Sequence, residues 1–184
     1  MSLPSLESAK QFAKATFSNL SSDAQAIRYR LCELVEKSVV ATAADESLDV
    51  LRPAAYLQEV GVIHSSKEKA IYSLQMVERH YSHDENFEEL DPRLYDTIKN
   101  HVRAGHPVTA EALLMRICHK YAVCHYLDYA IYKAQISLAA FERLQLERID
   151  AYAAYMDAHP RGDEISRALQ KIFLFKNLDL PEAG

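Results

Sequence analysis

The stretch Pro107-Val108-Thr109-Ala110-Glu111-Ala112-Leu113-Leu114-Met115-Arg116-Ile117-Cys118-His119-Lys120-Tyr121-Ala122 decides the fold class. Thr109 carries a side-chain oxygen that can accept from a free amide at a helix start, and Glu111 puts a carboxylate in the first turn, where the helix dipole favours it. Leu113, Leu114, Ile117, Tyr121 and Ala122 then recur at helical spacing around much of the circumference. The stretch predicts a central helix covered on several sides. No glycine or proline follows until Pro160, and an unbroken helix of that length is unusual in a globular domain, so at least one break is expected before it.

Working outward, the four glycines Gly61, Gly105, Gly162 and Gly184 fall where apolar periodicity stops, as helix ends do. Asp91-Pro92 reads as a cap followed by proline at the first helical position, with Leu94, Ile98, His101 and Val102 on the buried face. Towards the N-terminus, Ser65 or Ser66 caps a helix through Ile71, Leu74, Val77 and Tyr81, and a polar loop runs from Ser82 to Glu89. A helix through Leu51, Ala55 and Leu57 stops at Gly61; Pro53 asks that its start be late, so that proline falls in the first turn. Before it lie a helix with the stripe Ile27, Leu31, Leu34, Val35 and Val39, and a short docking helix from Leu6 to Ser18. Asp163 to Leu174 forms the last helix. Strand-like alternation and hairpin turns are missing from the sequence.

These elements predict an all-α, single-domain helical bundle of about six to eight helices over residues 1–184, with a core at about 22–142, C-terminal helices at 143–175 and a tail at 176–184. A length of 184 residues suits one substantial core. The net charge of −5 argues against a general nucleic-acid binder, which needs a surplus of Lys and Arg on one face. Cys32, Cys118 and Cys124 form no CxxC pair and read as reduced core residues. Long apolar spans and a leader-like N-terminus are both missing, so the expected location is cytoplasmic, with no membrane contact.

Residues 48–132 carry a family resemblance. The run Leu51-Arg52-Pro53-Ala54-Ala55-Tyr56-Leu57-Gln58-Glu59-Val60-Gly61 resembles the HD-domain phosphohydrolase segment in which an alanine- and leucine-rich helix ends in His-Asp, a small apolar residue and glycine. Leu90-Asp91-Pro92 leading to Ile98-Lys99-Asn100-His101 is similar to the family's later helix that ends in histidine. The stretch Pro107 to Lys120 is similar to the one that carries a final aspartate ligand followed by lysine; His119 stands at that position here. The resemblance implies an HD-like helical fold and a divalent metal held by an upstream histidine, the His-Asp pair and a distant aspartate. In this chain the pair reads Gln58-Glu59, and no histidine precedes His64, so the metal set is degenerate.

Two expectations follow from the resemblance. In one, the metal site is impaired and the chain is a binding or regulatory module for a nucleotide or other phosphorylated small molecule, without a cofactor, with Gln58, Arg52, Lys99, Arg103 and Lys120 as ligand contacts. In the other, Glu59, His64, His101 and His119 form a remodelled site for Mn, Fe, Ni or Zn in a divergent metal-dependent phosphohydrolase. Against both stands a plainer reading: Glu59 is a partly solvated helix end, His64 a loop residue, His101 a hydrogen-bonded core histidine and His119 a buried polar group. Tyr121, Tyr126, Tyr129, Tyr132, Tyr152 and Tyr155 suggest core, or the face of a homodimer in a purely structural protein. His80, His83 and Asp84 have metal-like spacing but read as solvated loop.

Overall fold

A computed structural model describes residues 2–85, 87–102, 106–127 and 160–173. Among these residues there are seven α-helices, here α1 (Leu6–Phe17), α2 (Ser22–Thr42), α3 (Leu48–Leu57), α4 (Lys69–Tyr81), α5 (Pro92–Asn100), α6 (Ala110–Ala122) and α7 (Gly162–Ile172). Short 3₁₀ turns at Asp45–Ser47 and Val60–Ile63 flank α3. Extended pairing among the described residues is limited to an isolated bridge between Ser2 and Leu90.

The helix starts follow local chemistry. Ser5, Ser21, Asp91 and Thr109 each accept a backbone amide with the side chain, and Pro92 follows its cap. The helix expected to stop at Gly61 ends at Leu57, with Gly61 in the 3₁₀ turn that follows, and two starts also differ from expectation. Ser65 accepts the Glu68 amide at 3.1 Å, but α4 begins only at Lys69, because the serine closes the turn before the helix. Pro53 lies inside α3 rather than in its first turn. With no N–H at Pro53 the Asp49 carbonyl has no amide to accept four residues on, and Asp49 sits near the start of the helix with an exposed side chain, where water can serve that carbonyl.

The expected break after Thr109 has a visible onset, since α6 gives way at Val123 to a π-helical turn through Leu127. Residues 128–159, and with them Tyr129, Tyr132, Tyr152 and Tyr155, lie outside the described residues. So does the tail expected at 176–184. Tyr126 is buried, and Tyr121 stacks on His125 at 4.1 Å and meets Phe173 edge-on at 5.2 Å, so both pack the α6 end inward.

The core is contiguous. Leu31, Val35 and Val39 of α2, Leu51 and Leu57 of α3, Leu94 and Ile98 of α5, and Met115 and Ile117 of α6 are buried in one cluster. Each such side chain contributes roughly 1.5–3 kcal/mol relative to exposure. Two polar ties fix the helices around it. Glu36 of α2 accepts from Tyr56 Oη at 2.6 Å and from Arg52 of α3 at 2.8 Å, and pairs with Lys10 of α1 at 3.1 Å. Asp96 of α5 accepts from the Val108 amide at 2.9 Å, the Thr109 amide at 2.7 Å and Thr109 Oγ1 at 2.8 Å, anchoring α5 to the start of α6.

Candidate functional site

Four elements converge behind Gln58 and Glu59. Gln58 caps the C-terminus of α3, and Glu59 begins the turn that carries Gly61. Gly61 packs so tightly on α4 that a Cβ there would run into the Lys69 carbonyl and the Ser73 amide. Ser73 Oγ locks the contact, accepting the Gly61 amide at 2.8 Å and donating to the Gln58 carbonyl at 2.8 Å. That close approach is what sets the first residue of α4, Lys69, beside Glu59.

Glu59 is fully buried. Its Oε1 accepts from Lys69 Nζ and lies 2.8 Å from His119 Nε2, and its Oε2 pairs with Arg28 of α2 at 3.2 Å. Lys69 Nζ is also 2.9 Å from His119 Nε2. Burial pushes the Glu59 carboxyl up, but Lys69, His119 and Arg28 outweigh it and hold the group well below the usual carboxylate range. The expectation of a partly solvated helix end is therefore corrected: the turn folds the carboxylate inward because two cations meet it there.

His101 caps α5, and its ring meets that of His119 edge-on with centroids 4.9 Å apart. Its Nδ1 donates to the Ile98 carbonyl at 2.8 Å, which leaves Nε2 as a bare lone pair. That nitrogen and both polar atoms of the Gln58 amide are buried without a hydrogen-bond partner. Burial, helped by His119 and Lys69, holds His101 well below the ordinary histidine range. Burial and then Lys69 push His119 down to about 4. Both rings are neutral at pH 7.

Glu59, His101 and His119 each offer one ligand atom, and these atoms lie within 4.8 Å of one another. Two imidazoles and a carboxylate are a donor set for borderline transition ions. The surroundings do not fit such an ion: Lys69 places an ammonium against two of the three donors, and Arg28 adds a second positive charge.

The sequence-derived residues divide sharply. Glu59, His101 and His119 come together, and Gln58, next to Glu59 in the chain, is buried with its side-chain amide unpaired. His64 does not belong with them; it follows the 3₁₀ turn, is exposed and lies against Tyr72 with ring centroids 5.3 Å apart. Arg52 is held by Glu36 on another face of α3, and the Lys99 ammonium lies 5.3 Å from the centre of the Tyr95 ring on α5. Lys120 is half-buried and follows His119 along α6, so its side chain leaves the helix in another direction. Arg103 lies outside the described residues. His80 and His83 are exposed, and His80 stacks on Phe12 at 4.1 Å. Cys118 lies 3.5 Å from Thr42 Oγ1, and burial pushes its thiol up to about 12, which suits an inert core residue.

Sequence reasoning missed Arg28 and Lys69. Arg28 precedes Cys32, Val35 and Val39 at spacings of a single helix face, and all three are buried. Lys69 puts a positive charge into a helix's first turn, against the dipole, where a solvated lysine gains nothing. The helix α2 therefore sends a cationic side chain, Arg28, to this site.

A cleft of about 250 Å³ lined by Ser2, Pro4, Ser8, Tyr81 and Asp84 shares no residue with this cluster. Among the described residues no helix is long and apolar enough to cross a membrane. Comparison with known proteins adds nothing to the geometry: no family model, curated protein or solved structure matches the chain.

Proposed function

We propose that this chain is a catalytically impaired, HD-like helical module that binds a small phosphorylated ligand at the buried cluster. The observation that carries the reading is the charge balance around Glu59. One carboxylate faces two cations, Lys69 and Arg28, leaving one positive charge in excess. Within the same cluster lies the bare His101 Nε2, and Gln58, next to Glu59 in the chain, buries an unpaired amide; buried polar atoms without partners are costly unless something hydrogen-bonds them. Arg28 is the entry, because its side chain is 17% exposed while Glu59 is sealed at 0%. A guanidinium at the partly exposed edge of a cationic cluster suits a phosphate, which it meets with paired N–H donors.

A second reading, the divergent metal-dependent phosphohydrolase using Mn, Fe, Ni or Zn, is favoured by one observation, the convergence of three donor atoms within 4.8 Å. The charges weigh against it, since a divalent ion would join two cations and a single anion.

Thermal shift in low salt tests the proposal, with inorganic phosphate and then nucleotides as probes. The midpoint rises by roughly 5 °C or more at a ligand concentration about a hundredfold above Kd, and the rise is lost in Arg28→Gln. A folded protein that no phosphorylated probe stabilises is a structural or dimerisation module instead.

A further inference from the structure

The donor triad and the cation beside it belong to one design. We infer that the Lys69 ammonium is the resident cation of the Glu59, His101 and His119 site, closing it to divalent metals, and that removing this one side chain opens a latent metal centre.

Each donor bears this out. Glu59 Oε1 accepts from Lys69 Nζ, and His119 Nε2 lies 2.9 Å from the same nitrogen. Lys69 Nζ, Glu59 Oε1 and His119 Nε2 thus face one another where an ion would have to sit, and the ammonium already occupies the place between two of the three donors. The second Glu59 oxygen is taken by Arg28 at 3.2 Å. Of the three donors His101 Nε2 alone is unpaired, and one imidazole does not hold an ion. A metal entering here must break the contacts of Lys69 and then share a buried site with its charge, which is far costlier than the same repulsion in water.

Lysine is bound to the backbone and cannot dissociate, so the replacement is permanent. It supplies the positive charge that Glu59 requires without a coordination sphere, and therefore without a bound water to activate. The inference deepens the proposed function by naming what took the metal's place, yet the two fail separately, because one is read from phosphate binding by the wild type and the other from cobalt binding by a variant.

The purified protein is dialysed against Co²⁺ and its absorption and metal content are measured for the wild type, Lys69→Ala and Lys69→Ala/His101→Ala. Wild type takes up no cobalt that depends on His101. Lys69→Ala takes up about one equivalent, at least about a hundredfold more tightly than wild type, with d–d bands in the visible. The double variant loses it. Should Lys69→Ala not fold, Lys69→Gln, which keeps a donor for Glu59 without the charge, is read in the same way. Two results overturn the inference: His101-dependent cobalt in the wild type, or a folded neutral variant that takes up none.

Discussion

Lys69 Nζ and His119 Nε2, fifty positions apart in the chain, lie 2.9 Å from each other and share Oε1 of Glu59. Three ionisable side chains from a turn, a helix start and a helix's last turn thus settle one another's charge state in a largely buried place. The arrangement holds Glu59 well below the usual carboxylate range and pushes His119 down to about 4, while burial lowers Lys69 from its usual range and Glu59 opposes that shift.

Breaking the pair from one side is expected to cost far more than removing it whole. Glu59→Leu strands Lys69 and Arg28 beside apolar surface and destabilises by about 3–5 kcal/mol, whereas Glu59→Leu combined with Lys69→Met costs less than Glu59→Leu alone. Urea unfolding of the wild type, both single variants and the double variant measures this. Costs that simply add would contradict it.

Acid should destabilise the protein through His119. Its folded value of about 4 lies below the ordinary 6.5, so between those pH values the unfolded chain binds a proton that the folded chain does not. Stability therefore falls as pH drops through that window, by up to about 3 kcal/mol from this ring. The depressed Glu59 acts in the same direction: its contribution is present above the unfolded value and is lost only as pH falls through the folded one. In His119→Gln the slope of stability between pH 6.5 and 4 is shallower, measured by denaturant titration at a series of pH values.

Gly61→Ala tests the placement of Lys69. The added methyl meets the backbone of α4 rather than a side chain that could turn away, so the cost is about 1–3 kcal/mol or more. The same substitution should also weaken any phosphate-induced thermal shift, since it moves Lys69 from Glu59. An alanine variant as stable as wild type would mean that the turn and α4 are not in contact.

Asp96→Ala removes the acceptor for two backbone amides and the Thr109 hydroxyl. The expected loss is about 2–4 kcal/mol, with Asp96→Asn recovering part of it, because hydrogen bonds to a charged acceptor are among the stronger ones. Chemical denaturation of both variants gives the comparison.

The helices were legible because their signals are local. Asp91 and Thr109 cap where the sequence places them, and the stripe Leu31, Leu34, Val35, Val39 is buried as its periodicity implies. Pro53 misled because a 3₁₀ turn and an exposed helix start leave room for a carbonyl without its amide. Within the site, Gln58, Glu59, His101 and His119 were visible as a pattern along the sequence, while His64 was drawn in by proximity to Glu59 in the chain and sits outside. Arg28 and Lys69 were hidden for a physical reason. A buried cation is recognised by its partner, and the partner, Glu59, is 31 residues away from the first and 10 from the second.

The most direct test of the central claim is a ¹⁵N spectrum of the histidine rings at pH 7, taken before and after addition of Co²⁺. With Lys69 holding the site, neither the His101 nor the His119 ring signal broadens when cobalt is added. Selective loss of those two ring signals on addition of cobalt, with the rest of the spectrum intact, would contradict the account.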